Sequence, residues 1–197
     1  MKKVERLLST FAKIHSGLKT LLDAHKCQVV IERLAHQLIE NHGDFSNTVL
    51  IGIQPRGIFL SDRLVDYISK RLKKKPAYGK LDITFYRDDY QSASSIPLPR
   101  STELDLTLEG KQVVLIDDVL FTGRTVRSAL DALLDFGRPR KVELMTLIDR
   151  RYNRELPIQA DYSGLVIDSS LTEKVKVYWK QRDGEDKVVI IQKADTI

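Results

Sequence analysis

A single cysteine, Cys27, stands in a chain of 197 residues. It excludes an intramolecular disulfide framework and any zinc site built from cysteines. Long hydrophobic runs are missing too: the longest span four to six residues, as in Val113-Val114-Leu115-Ile116, against the roughly 18 that a membrane span needs. No Gly-x-Gly-x-x-Gly fingerprint is present, and no Lys follows Gly123, so neither a dinucleotide site nor a nucleotide P-loop is expected. Internal repeats and low-complexity tracts are absent. The amino terminus is basic at Lys2, Lys3 and Arg6, but no apolar core of signal-peptide length appears before His15. With a lone thiol and no export signal, the expected compartment is the cytoplasm.

What is present fits one ordinary globular domain: 42% apolar and 30% charged residues, in a chain long enough to bury about 70% of its unfolded surface. The formal charge is +5. Five cations sit together at Lys70, Arg71, Lys73, Lys74 and Lys75 and account for the whole excess. A nucleic-acid patch is one reading of such a run. The plainer one is a solvated helix end, where cations complement the carboxyl-terminal dipole and Pro76 stops the helix.

Leu7, Leu8, Phe11, Ile14, Leu18, Leu21 and Leu22 recur at helical spacing, as do Ile31, Leu34, Ala35, Leu38 and Ile39 up to Asn41–Gly43. Thr48–Ile53 reads as a buried strand, broken by Gln54-Pro55-Arg56-Gly57, and a helix follows with Ile58, Leu60, Leu64, Val65 and Ile68. Leu81–Tyr86 reads as a strand. The polar segment from Arg87 to Glu109 is long enough to be functional in a compact domain, often as a lid. Strand Gln112–Ile116, helix Arg124–Phe136 and strand Val142–Ile148 continue an alternation that predicts an α/β fold with a mostly parallel central sheet flanked by helices. After Pro157 the pattern changes, and Lys174–Trp179 with Lys187–Gln192 read as an antiparallel β-hairpin turning at Asp183-Gly184. Ligands of parallel sheets bind beyond the carboxyl ends of the strands, which draws Pro55-Arg56-Gly57, Asp117–Thr125 and Asp149–Pro157 to one edge.

The most informative stretch is Ile116-Asp117-Asp118-Val119-Leu120-Phe121-Thr122-Gly123-Arg124-Thr125. A strand delivers two carboxylates to an exposed end, and a short turn leads into a helix. The helix amino terminus offers unpaired N–H groups and a positive dipole end to a phosphate. Gly123 lets the backbone approach, and the hydroxyls of Thr122 and Thr125 can donate. Carboxylates repel phosphate, so a ligand suited to both has separated parts: a sugar phosphate, with its diol on Asp117 and Asp118 and its phosphate on the turn. A metal site alone and a purely structural acid pair are the competing readings. The latter is disfavoured because adjacent charges are rarely buried unpaired.

This stretch resembles the signature of type I phosphoribosyltransferases, and the wider chain is similar to the PyrR family of pyrimidine-operon attenuation proteins that are also uracil phosphoribosyltransferases. The likeness is carried by Ile31–His36, Ile51–Ile53, Arg56–Ile58, Asp82–Asp89, Phe121–Arg127, Phe136–Pro139, Arg154–Pro157 and Ala160–Tyr162. It runs from about Leu21 onward. The resemblance implies a type I phosphoribosyltransferase fold with a small hood formed by terminal segments and the carboxyl-terminal hairpin. It divides the chain into a single phosphoribosyltransferase domain, 21–197, and an amino-terminal helical extension, 1–20, of no assigned role.

By that resemblance Asp117, Asp118, Arg56 and Arg87 are the catalytic group. The donor 5-phosphoribosyl-1-pyrophosphate (PRPP) would lie on Pro55, Arg56, Gly57 and on Asp117, Asp118, Val119, Leu120, Phe121, Thr122, Gly123, Arg124 and Thr125. Arg87, Asp88 and Asp89 would open a flexible closing loop, with Arg87 a clamp for pyrophosphate. Asp149 and Arg150 would face the base, uracil. Mg2+ would ride on the pyrophosphate with no direct protein ligand, and the assembly would be a homodimer or a set of dimers, with no membrane partner. Two alternatives stay open: an RNA-binding attenuator with weak catalysis, and transfer to another nucleobase. His36 matches a family position near the RNA-facing surface, and is equally a half-exposed helix residue. His15, His25 and His42 also precede the strand at Thr48, off the catalytic edge, and Cys27 reads as a small buried side chain on a helix. The chain departs from the family at Gln54-Pro55, where Lys-Thr is usual, and in Arg151-Tyr152-Asn153, where Gly-His is common and one residue fewer. Neutral Gln28, Val29, Gln159 and Leu165 replace basic positions, and each lost phosphate contact lowers RNA affinity and its salt dependence.

Overall fold

The computed structural model describes residues 18–88, 102–104 and 107–192. Its first element is a strand, β1 (Leu18–Leu22), which pairs antiparallel with Lys187–Gln192. The helical spacing read through Leu18, Leu21 and Leu22 is therefore corrected. Three- or four-residue recurrence in so short a segment suits either state, and Asp23 decides: its carboxylate accepts the backbone N–H of Lys26 at 2.8 Å, an N-cap that starts helix α1 (Ala24–His42) only after the leucines. Ile31, Leu34, Ala35 and Leu38 form the buried stripe of α1, and Gly43, at φ 58°, ends it. The rest of the expected extension, residues 1–17, lies outside the described residues.

Strand β2 (Thr48–Ile53) is buried at every position, as befits the middle of a parallel sheet. It leads through a cis Gln54-Pro55 bond into α2 (Gly57–Leu72), which buries Leu60, Leu64, Val65 and Ile68. Lys73 turns left-handed at the end of α2, and Lys70, Arg71, Lys73, Lys74 and Lys75 are exposed, the solvated helix end of the plainer reading. Strand β3 (Ala77–Leu81) pairs parallel with β2. The strand expected over Leu81–Tyr86 is thus displaced, because the Asp82 carboxylate accepts from both the backbone N–H and the hydroxyl of Thr84 and bends the chain into a single 3-10 turn, Thr84–Tyr86.

Strand β4 (Gln112–Leu120) runs four residues beyond Ile116. Helix α3 (Arg124–Leu133) follows, then β5 (Lys141–Arg151) and β6 (Tyr162–Asp168), a strand the sequence pattern did not reveal. The order β3-β2-β4-β5-β6 is parallel throughout. One face of this sheet packs Val49, Ile51, Val113, Leu115 and Leu144 against Val126, Ala129, Ala132 and Leu133 of α3. These elements belong to a compact unit, Val29–Asp168.

The terminal segments, residues 18–28 with 169–192, form a second unit. It holds a three-stranded antiparallel sheet, β1-β8-β7, in which β7 (Glu173–Tyr178) and β8 (Lys187–Gln192) make the expected hairpin. The connection carries a four-residue helix, α4 (Lys180–Asp183), and turns at Gly184, φ 85°. Trp179 is fully buried there, and its backbone N–H donates to Asp183. Among the described residues no helix is long and apolar enough to cross a membrane.

Candidate active site

Because β4 extends to Leu120, the two acids are not at an exposed tip. Asp117 and Asp118 lie within the strand and are each only 7% exposed. Burial, and for Asp117 the neighbouring Asp118 charge, push both carboxyls well above the usual aspartate range. Two contacts offset that cost. The backbone N–H of Asp118 donates to Asp117 Oδ1 at 2.8 Å, and Arg56 Nε donates to Asp118 Oδ2 at 3.0 Å. The Arg56 side chain keeps 26% of its surface exposed, so this ion pair opens on the site rather than locking the acids into the interior.

Gly57 explains how Arg56 reaches them. A Cβ at residue 57 would collide with the carbonyl oxygen of Ile116 and lie 3.0 Å from Asp117 Cα. Only glycine lets the first turn of α2 rest directly on β4 beside the acid pair. Pro55, Arg56 and Gly57 are thereby brought to Asp117 and Asp118.

Along β4, Val119 pairs with Ile148 and Leu120 with Asp149. The Leu120 side chain belongs to the core, which leaves its backbone as the part that borders the turn. Gly123, at φ 96°, is the N-cap of α3 and brings no side chain of its own into the turn; the Arg124 N–H donates to the Thr122 hydroxyl at 3.4 Å, and a helix amino terminus of this kind suits an anion. Arg124 is exposed and pairs with Asp88 and with Glu155, while Arg127 lies 3.9 Å from Asp88. Arg87, Asp88, Arg124 and Thr125 line one small crevice. Asp89 lies outside the described residues.

On β5, Asp149 and Arg150 are 7% and 5% exposed. Their side chains diverge, as strand alternation requires. Arg150 stacks its guanidinium over Phe121, 4.0 Å from the ring centroid, whereas Asp149 forms an ion pair with Arg154. A cleft of about 490 Å3 opens on the Asp149 side, bordered also by Arg151, Tyr152, Arg154, Ile158 and Val166. Tyr152 sits in the longer loop at φ 67° and is 82% exposed. Sequence reasoning gave no role to Arg154, whose partners are mostly carbonyls and so leave no trace in residue pattern. Of the histidines, His36 is exposed and 3.0 Å from the Tyr67 hydroxyl; His42 is tied to Glu143 at 3.0 Å at the opposite edge of the sheet.

A parallel sheet with an acid pair, a glycine turn opening a helix and an arginine-bearing turn at its carboxyl edge agrees with the comparisons to known proteins. Residues 17–182 match the phosphoribosyl transferase domain family. The fold is shared by a hypoxanthine phosphoribosyltransferase of Staphylococcus aureus, with a TM-score of 0.66 at 22% identity over 93% of this chain and 97% of that one. The enzyme of Trypanosoma cruzi gives 0.66 at 17% identity, over 88% and 96%. The protein is thus a phosphoribosyltransferase by class.

Relatives at higher identity are narrower. A bifunctional protein PyrR of Desulfosudis oleivorans is 46% identical over 170 residues, covering 86% of this chain and 94% of its own. One of Haemophilus ducreyi is 47% identical over 173 residues, covering 88% and 96%. The chain belongs to the PyrR family.

Proposed function

We propose that this protein transfers the ribose 5-phosphate of PRPP to uracil, giving UMP and pyrophosphate. The observation that carries the proposal is the meeting of Arg56, held by the Gly57 contact, with the buried pair Asp117 and Asp118, directly upstream of the turn at Gly123 that opens α3. An activated sugar bearing phosphate at one end and diphosphate at the other suits those three parts together. The supporting domain is proposed as 21–197 joined by the β1 residues Leu18–Thr20 that pair with β8, with the residues before them an extension, in a cytoplasmic homodimer or assembly of dimers.

In this reading Asp117 and Asp118 accept from the ribose hydroxyls, and Phe121 to Thr125 surround the 5-phosphate. Arg56, helped by Arg87, takes charge developing on the departing diphosphate. A base nitrogen bonds to C1 of the ribose and loses its proton, which passes to the departing pyrophosphate or to water, as the C1–oxygen bond breaks with its electron pair leaving on pyrophosphate. Positive charge that builds on the ring faces the two carboxylates. The segment from Asp149 to Pro157 holds the base, which shields the cation from water.

Mg2+ fits this donor set. Mg2+ is commonly held by one or two carboxylates with substrate phosphates, and Asp117 and Asp118 are two such carboxylates beside Arg56. Asp117 and Asp118 would hold it through water or the ribose hydroxyls, and the bound ion would offset the charge on the diphosphate.

Turnover of uracil, orotate, guanine and hypoxanthine measured side by side tests the base. UMP formation with the highest kcat/KM is expected, and a purine turned over faster would overturn the assignment. The relatives are named bifunctional, which favours RNA contact as a second activity. At the usual basic positions, however, this chain presents exposed, neutral Gln28, Val29 and Gln159 and half-buried Leu165. A salt titration on pyrimidine-leader RNA is expected to show a shallow slope.

A further inference from the structure

The segment 154–158 is fastened to the turn after β4 largely through the turn's carbonyls, with the Glu155–Arg124 ion pair beside them. Arg154 donates to the carbonyl oxygens of Leu120 (3.4 Å) and Phe121 from the same guanidinium nitrogen. The next carbonyl, that of Thr122, accepts the backbone N–H groups of Glu155 at 3.0 Å and Leu156 at 3.2 Å. A Cβ on Gly123 would face the side chains of Leu156 and Ile158 at 3.2–3.4 Å. Three consecutive carbonyls therefore point toward one segment. In a trans peptide the N–H lies opposite its carbonyl, so the N–H groups of Phe121, Thr122 and Gly123 are turned to the other side, the arrangement of successive backbone donors that suits an anion.

The remaining bonds of Arg154 anchor it in the base-side segment. It donates to the carbonyls of Arg150 at 2.9 Å and Ile158 at 3.0 Å and pairs with the Asp149 carboxylate. A planar guanidinium carries five N–H donors in a fixed fork. Lysine has three donors and no plane, so it keeps the charge without the simultaneous reach. Between the end of β4 at Leu120 and the start of α3 at Arg124, the Thr122 hydroxyl accepts the Arg124 N–H at 3.4 Å and Glu155 pairs with Arg124, but neither contact reaches the carbonyls of Leu120 and Phe121.

We propose that Arg154 is a positioning residue for the 5-phosphate: it orients the backbone donors of residues 121–123 from behind, and so couples the base-side segment to affinity for the phosphoribosyl group. This rests on the phosphate placement given above. The bonds of Arg154 go to backbone carbonyls and to the Asp149 carboxylate, so its signature is a loss larger for phosphate-bearing ligands than for the base.

Arg154→Ala and Arg154→Lys are compared with the unaltered protein by circular dichroism, by titration with ribose 5-phosphate, and by KM for PRPP and for uracil. In the folded Ala variant, ribose 5-phosphate affinity and KM for PRPP are expected to worsen about 10- to 100-fold, as for loss of oriented backbone donors. KM for uracil should move less than about threefold, and free guanidinium should restore part of the loss. The Lys variant should fall between and carries the test should the Ala variant not fold. Ribose 5-phosphate binding within about twofold of the unaltered protein in a folded variant, or equal losses for PRPP and uracil, would overturn the proposal. If the unaltered protein turns over none of the bases, the function proposed above fails, while ribose 5-phosphate binding still decides the place of Arg154.

Discussion

The two edges of the parallel sheet both bury charge, and they do so in opposite ways. At the amino edge His42 bonds Thr48 through one ring nitrogen, at 3.1 Å, and Glu143 through the other, at 3.0 Å. Glu143 also takes Lys141, and Tyr162 takes Asn41. Acid, base and hydroxyl are matched there, and such a network organises the sheet without needing a ligand. At the carboxyl edge two adjacent acids lie side by side, and their carboxyls are pushed upward by burial. The first edge is closed chemistry. The second holds unbalanced charge that a polyhydroxylated, cation-bearing ligand would relieve, and sites of function concentrate such imbalance.

The largest way to break this contrast is to neutralise the acid pair. Asp117→Asn with Asp118→Asn is expected to lower UMP formation by about three orders of magnitude or more, a scale seen when electrostatic stabilisation of a transition state is removed. Asp117→Asn alone should make the fold more stable near neutral pH. A proton binds the buried Asp117 more tightly in the folded chain than in the unfolded one, where aspartate titrates near about 3.9. Stability is therefore fullest below that value and is lost as pH rises through the folded pKa. Tm compared from about pH 4 to 8 should show the variant's gain growing with pH; a gain that is flat or reversed would mean the acid is not under strain.

A middle effect is expected at Gly57. Gly57→Ala places a methyl group against the Ile116 carbonyl, an overpacking worth about 1–3 kcal/mol. Because it moves Arg56 away from Asp118, activity should fall more steeply than stability. A folded variant with unchanged KM for PRPP would break the link between the two.

The smallest effect belongs to the amino edge. Burial holds the His42 imidazole below its ordinary range against the raising pull of Glu143. The unfolded chain then takes up the proton first, so stability falls as pH drops from about 6.5 through the folded value. His42→Gln should flatten that slope in a Tm–pH series and leave kcat within about twofold, since it lies at the far end of the strands. A catalytic loss would show that the edges communicate.

Legibility in the sequence followed contiguity. Asp117 to Thr125 could be read because strand, turn and helix are continuous in the chain, and β2, β4 and β5 because their apolar runs are nearly unbroken. Strand β6 escaped notice because Tyr162–Asp168 is an edge strand with interrupted burial and a glycine inside it. Strand β1 is masked by leucine spacing that fits a helix, and only the Asp23 cap shows that α1 begins after the leucines. The acids were expected at a tip, yet parallel pairing with β5 continues to Leu120 and draws them inward. Arg154 stands out in the sequence only through a family resemblance, and its bonds to five separated groups depend on the folded backbone alone.

The absence of any room above Gly57 also governs how this edge of the molecule can change. Residues 54 and 55 hold Gln and Pro where lysine and threonine are usual in the family, while position 57 is pinned by the strand beneath it. Substitution is thus channelled: the turn can alter which charges it presents beside the acids, but its distance from them stays fixed. New preferences can arise there without rebuilding the geometry that would make transfer work.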